Sequence, residues 1–291
     1  MFGAAGLRTR RAQVLTLHKG IAVNRVTATF QRLRDAKRAA FMPFISAGDP
    51  SLEATEAILP ALQQRGAADL VELGVPFSDP IADGPTIQAS YQRALGRGVT
   101  PQAILDMLAH LRDGGLDLPV CLMVSYSLVY RPGMEAFIAR AAEAGVDGLI
   151  VPDLPADEAG PLEQALRSHD LVYIPLVAPT TPPARREKII AHGTGFIYCV
   201  AIAGITGERD TLPEHLGEYV RGIRAEASVP ACVGFGLSRP EHVKAVAEVA
   251  DGAIVGSAII HRIADHADGS PAEIAGAVAD FCAELAAPLR G

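Results

Sequence analysis

Glu72 stands inside an apolar run, between Val71 and Leu73, and that placement is the first chemical signal in the chain. A carboxylate drawn into a poorly solvated interior ionises only at a cost, so its pKa rises and it becomes a candidate acid or base. The stretch around it, LVELGVPFSDPIADGPTIQ, holds Pro76, Pro80 and Pro85 with Asp79 and Asp83 between them. Prolines so closely spaced stiffen a turn, which makes Asp83 a second carboxylate in a rigid loop just ahead of a helix start at Thr86. A buried acid of high pKa and an exposed, ionised base form a complementary pair for proton transfer. An ion pair with some Arg or Lys, plus a solvated loop, would use the same residue types. What separates the two readings is the fold.

From Phe41 onward apolar runs alternate with helical stretches, the pattern of parallel strands joined by crossover helices. Strands are expected near 41–46, 69–73, 119–124, 147–151, 171–177, 195–200, 230–233 and 251–255, and helices near 52–65, 87–112, 134–144, 157–168, 183–191, 213–226, 240–248 and 271–286. Eight such pairs over about 250 residues predict a single-domain (β/α)8 TIM barrel, with a doubly wound open sheet as the runner-up. No GxGxxG follows the first strand, which weakens a dinucleotide-binding reading. The segments ADLVELGV, AGVDGLIV and VADGAIVG resemble one another as repeats of one strand–helix unit. An amphipathic helix over 24–38 precedes the first strand and belongs to the barrel domain, 23–291. Residues 1–22 carry Arg8, Arg10, Arg11 and Lys19 with no acidic residue and no Ser; they read as an N-terminal extension, either disordered or an over-long start, with a transit peptide as the other reading.

Composition narrows the functional classes. With 49% hydrophobic and 20% charged residues the chain can bury a sizeable core. A net charge of −7 and the lack of a basic stripe argue against nucleic acid. Cys121, Cys199, Cys232 and Cys282 form no CxxC pair, and the eight histidines show no ligand spacing, so neither a metal nor a disulfide framework is expected. No apolar stretch approaches the roughly 20 residues that a membrane helix needs, and the expectation is a cytoplasmic protein with no membrane partner.

In a (β/α)8 barrel, reacting groups sit at the C-terminal ends of the strands, where both Glu72 and Asp83 would fall. Three glycine-rich loops share that face: Ala203 to Gly207, Gly234 to Ser238, and Gly256 to Ala258. Glycine lets the backbone approach a ligand, and free amides at a helix start after Gly256 would bind an anion. Two carboxylates opposite a phosphate anchor suit a lyase or isomerase acting on a phosphorylated metabolite.

The proline-rich stretch resembles the characteristic segment of the tryptophan synthase alpha subunit family. MPFISAGDP, GLIVPDLP, FIYCV with GITG, VGFGLS and VGSAII fall in family order, so the resemblance spans nearly the whole chain from Val23. It implies retro-aldol cleavage of indole-3-glycerol phosphate to indole and glyceraldehyde 3-phosphate, with no cofactor in this subunit. By the family pattern, Glu72 serves C3 of the indole and the glycerol hydroxyl, and Asp83 holds the indole N–H. Tyr198 would lie beside the reacting centre, Phe44 and Phe235 would flank the ring, and Gly207, Gly236, Gly256 and Ser257 would bind the phosphate. Thr206 matches a threonine that meets the catalytic aspartate when the sixth loop closes.

The resemblance also implies a partner, a pyridoxal-phosphate-dependent beta subunit that receives the indole in an alpha2beta2 heterotetramer, with Asp79 and the loop from Asp153 to Pro155 at the contact. Two departures stand out: Ser125 and Ser127 replace a Tyr and an Asn common in relatives, and Ala201 and Ile202 replace a Ser and often an Arg. Rival readings are a stand-alone lyase that releases free indole, a weakly catalytic activator of the beta subunit, and a phosphate-sugar isomerase on the same scaffold.

Overall fold

Among the described residues, nine strand segments, all paired in parallel, wrap into one barrel whose order follows the chain. They are β1 (Ala40–Ser46), β2 (Val71–Gly74), β3 (Val120–Met123), β4 (Gly148–Ile150), β5 (Val172–Ile174), β6 (Leu176–Val177), β7 (Ile197–Val200), β8 (Ala231–Gly234) and β9 (Gly252–Val255). The computed structural model describes residues 23–80, 83–201, 215–234 and 236–290. Eight strands were expected, and β5 with β6 accounts for the difference. Pro175 has no N–H to give to a ladder, so the fifth strand is interrupted there. It pairs with β4 through its first half and with β7 through its second, while the Pro175 carbonyl accepts from Tyr198 N at 3.0 Å. The barrel therefore closes across the break.

Side chains alternate along each strand, and the inward set from Ala40, Met42, Leu70, Cys121, Ile150, Ile174, Cys232 and Ile254 forms one buried cluster. The helix Arg25–Asp35 seals its lower end with Val26, Phe30 and Leu33. Asn24 caps this helix by accepting from Val26 N, and its amide donates to the carbonyls of Asp147 and Asp170 at 2.9 and 2.7 Å. Phe30 is 5% exposed and its ring lies 5.7 Å from that of Phe196. Phe30→Ala should therefore cost about 3–5 kcal/mol, as large-to-small changes in a packed core do, read as a lower urea midpoint at an unchanged slope. The outward set of strand residues packs under the helical layer, where Cys199 and Cys282 lie.

The three resembling segments share a physical cause. Asp69, Asp147 and Asp251 each precede a strand, and each carboxylate accepts an amide from the neighbouring strand: Phe41 N at 2.9 Å, Val120 N at 2.8 Å and Ala231 N at 2.9 Å. Each also takes an arginine, respectively Arg38, Arg112 and Arg224. Charge-assisted bonds of this kind lock strand ends in place. They gather at the face opposite the expected chemistry.

Some elements differ from expectation. The helix expected over 87–112 is two helices, Pro85–Gly96 and Pro101–Asp113, because Gly98 turns at a φ of +76° and Thr100 caps a new helix by accepting from Ala103 N. Tyr126–Tyr130 and Ser257–Asp265 are helical although neither was among the eight helical intervals, and the helix expected from 213 is described from Leu216. Residues 1–22 lie outside the described residues. No helix among the described residues is long and apolar enough to cross a membrane.

Candidate active site

Glu72 occupies an inward position of β2, in register with Phe44 on β1 and Cys121 on β3. It is 2% exposed, and neither carboxylate oxygen has a hydrogen-bond partner among the described residues. A buried polar group left unpaired costs about 1–3 kcal/mol, more if charged, so the fold holds this side chain in a destabilising place. Burial, with a further contribution from the Asp83 charge, pushes its pKa up to about 8. The carboxyl is therefore largely protonated at neutral pH and can act as an acid.

Asp83 stands at the mouth of the barrel, just before the helix Pro85–Gly96. The sequence suggested an exposed, fully ionised aspartate; the structure has it partly buried, with burial raising its pKa to about 6. The cause is a cleft of about 270 Å³ that Asp83 lines together with Val75, Phe77, Tyr91, Met123 and Ser125. Met123 and Ser125 come from a distant part of the sequence, so the desolvation they impose was not visible locally. Asp83, at about 6, still ionises well below Glu72, at about 8, and the acid–base division between the pair is kept.

Several contacts fix the helix that follows Asp83. Gln88 Nε2 donates to the Asp83 carbonyl at 2.8 Å. Arg93 grips the buried Asp49, just beyond β1, through two bonds of 2.7 and 2.8 Å. Ser46 and Ser90 share a hydrogen bond of 2.5 Å, and Thr86 meets His261 on the helix Ser257–Asp265 at 3.1 Å. Two-point arginine–carboxylate contacts are directional as well as strong. Asp83 is thus carried by a helix anchored both to β1 and to the helix beyond β9.

The other expected site residues divide by location. Phe44 is buried and inward-facing, and a Cβ placed on Gly74 would come within 2.6 Å of its Cζ, while one on Gly256 would lie 3.7 Å from its Cβ. The phenylalanine therefore spans the interval between the acid pair and the glycine rim. Tyr198 faces inward from β7 against Gly234, where a Cβ would sit 2.2 Å from its hydroxyl, so only glycine fits. Burial, with the charges of Glu72 and Asp83, drives the Tyr198 phenol pKa far upward and keeps it protonated.

On the rim, Gly256 is the N-cap of Ser257–Asp265, and its carbonyl accepts from Ile259 N and Ile260 N at 2.8 and 3.1 Å. Helix geometry leaves the amides of Ser257 and Ala258 facing outward, where they suit an anion. Gly236 adopts φ +61°, a left-handed turn that favours glycine. Thr206, Gly207 and Phe235 lie outside the described residues, as does Ile202.

Asp79 and Pro155 are exposed near the same mouth. Asp153 is exposed too, but both its oxygens are engaged within the chain, accepting from Ser125 Oγ at 2.7 Å and from Tyr126 N at 2.8 Å. The local sequence did not single out Tyr91. It lies on the buried stripe of its helix with Ile87 and Ala94, and that spacing reads as core; only its position two turns after Asp83 hinted otherwise.

A (β/α)8 barrel with a buried carboxyl unpartnered among the described residues, a second carboxylate at its mouth and a helix-capped glycine rim has the arrangement that acid–base enzymes use. Comparison with known proteins makes this specific. Residues 30–288 match the model of the family described as tryptophan synthase alpha chain. A protein of that name from Chloroflexus aggregans is 47% identical over 241 residues, 83% of this chain and 90% of the relative. The tryptophan synthase subunit alpha of Legionella pneumophila superposes with a TM-score of 0.82 at 36% identity, covering 91% of this chain and 98% of that one. In a tryptophan synthase complex from Pyrococcus furiosus the matched chain gives 0.78 at 33% identity, with 86% and 99% covered. The chain belongs to the tryptophan synthase alpha chain family. It is accordingly a carbon–carbon lyase of tryptophan biosynthesis, acting on indole-3-glycerol phosphate.

Proposed function

We propose that Glu72 and Asp83 carry out the retro-aldol cleavage of indole-3-glycerol phosphate in this chain. The observation that carries the assignment is the buried carboxyl of Glu72 in the barrel interior, with neither oxygen partnered among the described residues and close enough to Asp83 to feel its charge. Protonated Glu72 gives its proton to indole C3 while ionised Asp83 takes the proton from the ring nitrogen, which leaves a C2=N bond able to accept electrons. The Glu72 carboxylate then removes the proton of the adjacent glycerol hydroxyl. Its oxygen forms the aldehyde C=O, the bond to C3 breaks, the electron pair restores the C2=C3 bond, and Asp83 returns its proton to nitrogen. Both carboxyls end in their starting states.

Phe44, Tyr198 and Phe235 would enclose the ring, with Gly207, Gly236, Gly256 and Ser257 on the phosphate and Thr206 closing toward Asp83. Anchoring the phosphate orients the reacting end, since binding energy at a remote group can be used at the reaction centre. The chemistry needs only proton transfers, so this chain works without a cofactor. The resemblance to the chain of the Pyrococcus complex supports a beta subunit, carrying pyridoxal phosphate, as the partner in an alpha2beta2 assembly, with exposed Asp79 and Pro155 and the Asp153 loop toward it. The location is cytoplasmic, and residues 1–22 are an extension to the barrel domain at 23–291.

Purified protein is assayed for indole release from indole-3-glycerol phosphate, alone and with its beta subunit. Cleavage that rises when the beta subunit is added is the expected result. High unassisted turnover that the beta subunit leaves unchanged would instead point to a stand-alone lyase, and no cleavage in either case would overturn the assignment.

A further inference from the structure

Tyr91 reaches the reaction centre from outside the strands. It is 3% exposed, projects from the helix Pro85–Gly96 and lines the cleft together with Asp83. A Cβ built on Gly74 would lie 2.5 Å from the Tyr91 hydroxyl oxygen and 2.6 Å from Phe44 Cζ. The phenol thus fills the place of a Gly74 side chain. Gly74 follows Glu72 by two positions on β2, so the two share the inward face, about 6.6 Å apart along the strand. A substrate hydroxyl oxygen held between them can accept from the phenol and donate to the carboxylate, in O–H···O bonds of about 2.7–2.8 Å each. The phenol stays protonated beside the carboxylates, its pKa driven far up by burial and by Asp83 and Glu72. It is a permanent donor opening into a cleft that Ser125, a small residue, leaves wide.

We propose that Tyr91 is a substrate-positioning residue whose phenol O–H donates to the glycerol hydroxyl oxygen next to the bond that breaks, turning that hydroxyl's own proton toward Glu72. This rests on the cleavage reading above. Indole has no such hydroxyl, so Tyr91 discriminates between substrate and product by one hydrogen bond. The role falls to a helix residue, two turns beyond Asp83, rather than to a strand end.

Tyr91→Phe keeps the ring and removes only the donor. The expected result is a fall of about tenfold in kcat for cleavage, with indole affinity and thermal midpoint as in the wild type. Wild-type kcat in the variant would overturn the proposal, and so would a matching loss of indole affinity or stability, which would make the phenol a packing group. A wild-type protein unable to cleave indole-3-glycerol phosphate would remove the reaction itself and with it this role; that outcome is distinct, since it is read before any substitution is made.

Discussion

Glu72→Gln should lower kcat for cleavage of indole-3-glycerol phosphate by about 10²–10⁴-fold, the span of a positioned acid–base group, toward the upper end because the proposed mechanism uses the same carboxyl in both proton transfers. The substitution should also change how stability depends on pH. In the unfolded chain Glu72 ionises near the ordinary glutamate value of 4.5, whereas in the folded chain it holds its proton to about 8. Between those values the unfolded state releases a proton that the folded state retains. Wild-type stability associated with this group is therefore fully present below about 4.5 and is lost as pH rises through 8. Glutamine does not titrate. Relative to wild type, the variant should gain on the order of a few kcal/mol at pH 8.5 compared with pH 4.5, at about 1.4 kcal/mol for each pH unit that separates the folded and unfolded ionisation midpoints. Urea unfolding at the two pH values measures this, and an identical difference at both would mean that Glu72 is not held protonated by the fold.

Asp83→Asn is expected to be the second most damaging change, with a loss of about 10²–10³-fold in kcat/KM, since an amide cannot take the proton from the indole nitrogen. The pH profile adds a sharper criterion. On the proposed roles, activity needs Asp83 ionised and Glu72 protonated, so kcat/KM should rise through about 6 and fall through about 8. In the variant the rising limb disappears. The falling limb should move to lower pH as well, because the Asp83 charge is one of the two causes that raise Glu72, although burial is the larger. Rates measured from pH 4.5 to 9.5 would show both effects, and an unchanged rising limb would assign that limb to some other group.

The strands were legible because each is a short apolar run bounded by polar residues and glycine, and a parallel strand covered on both faces needs little else. Glu72 was legible for the complementary reason, as a charge where that pattern demands none. Breaks inside elements were harder. Thr100-Pro101 opens a helix within what reads as one continuous amphipathic stretch, and Pro175 divides a strand whose apolar pattern is unbroken. The environment of Asp83 was least legible of all. Its solvation is set by Tyr91, Met123 and Ser125, which reach it from separate elements, and a loop full of proline carries no sign of what will be placed over it. Tyr91 itself fits a core stripe so well that its hydroxyl passes unnoticed until Gly74 is seen to make room for it.

The carboxylate at Asp69 gives the catalytic geometry a tolerance it would otherwise lack. It bonds to Phe41 N and Arg38 at the entry to β2, only three positions before Glu72. In a strand of four residues, sliding by a single residue against β1 would exchange the two faces and swing Glu72 out among the helices. Asp69 works as an indexing pin: it counts the strand in from its start, so that the third residue on arrives inside the barrel. Residues at the exit end can then change to suit a different substrate without the acid losing its place.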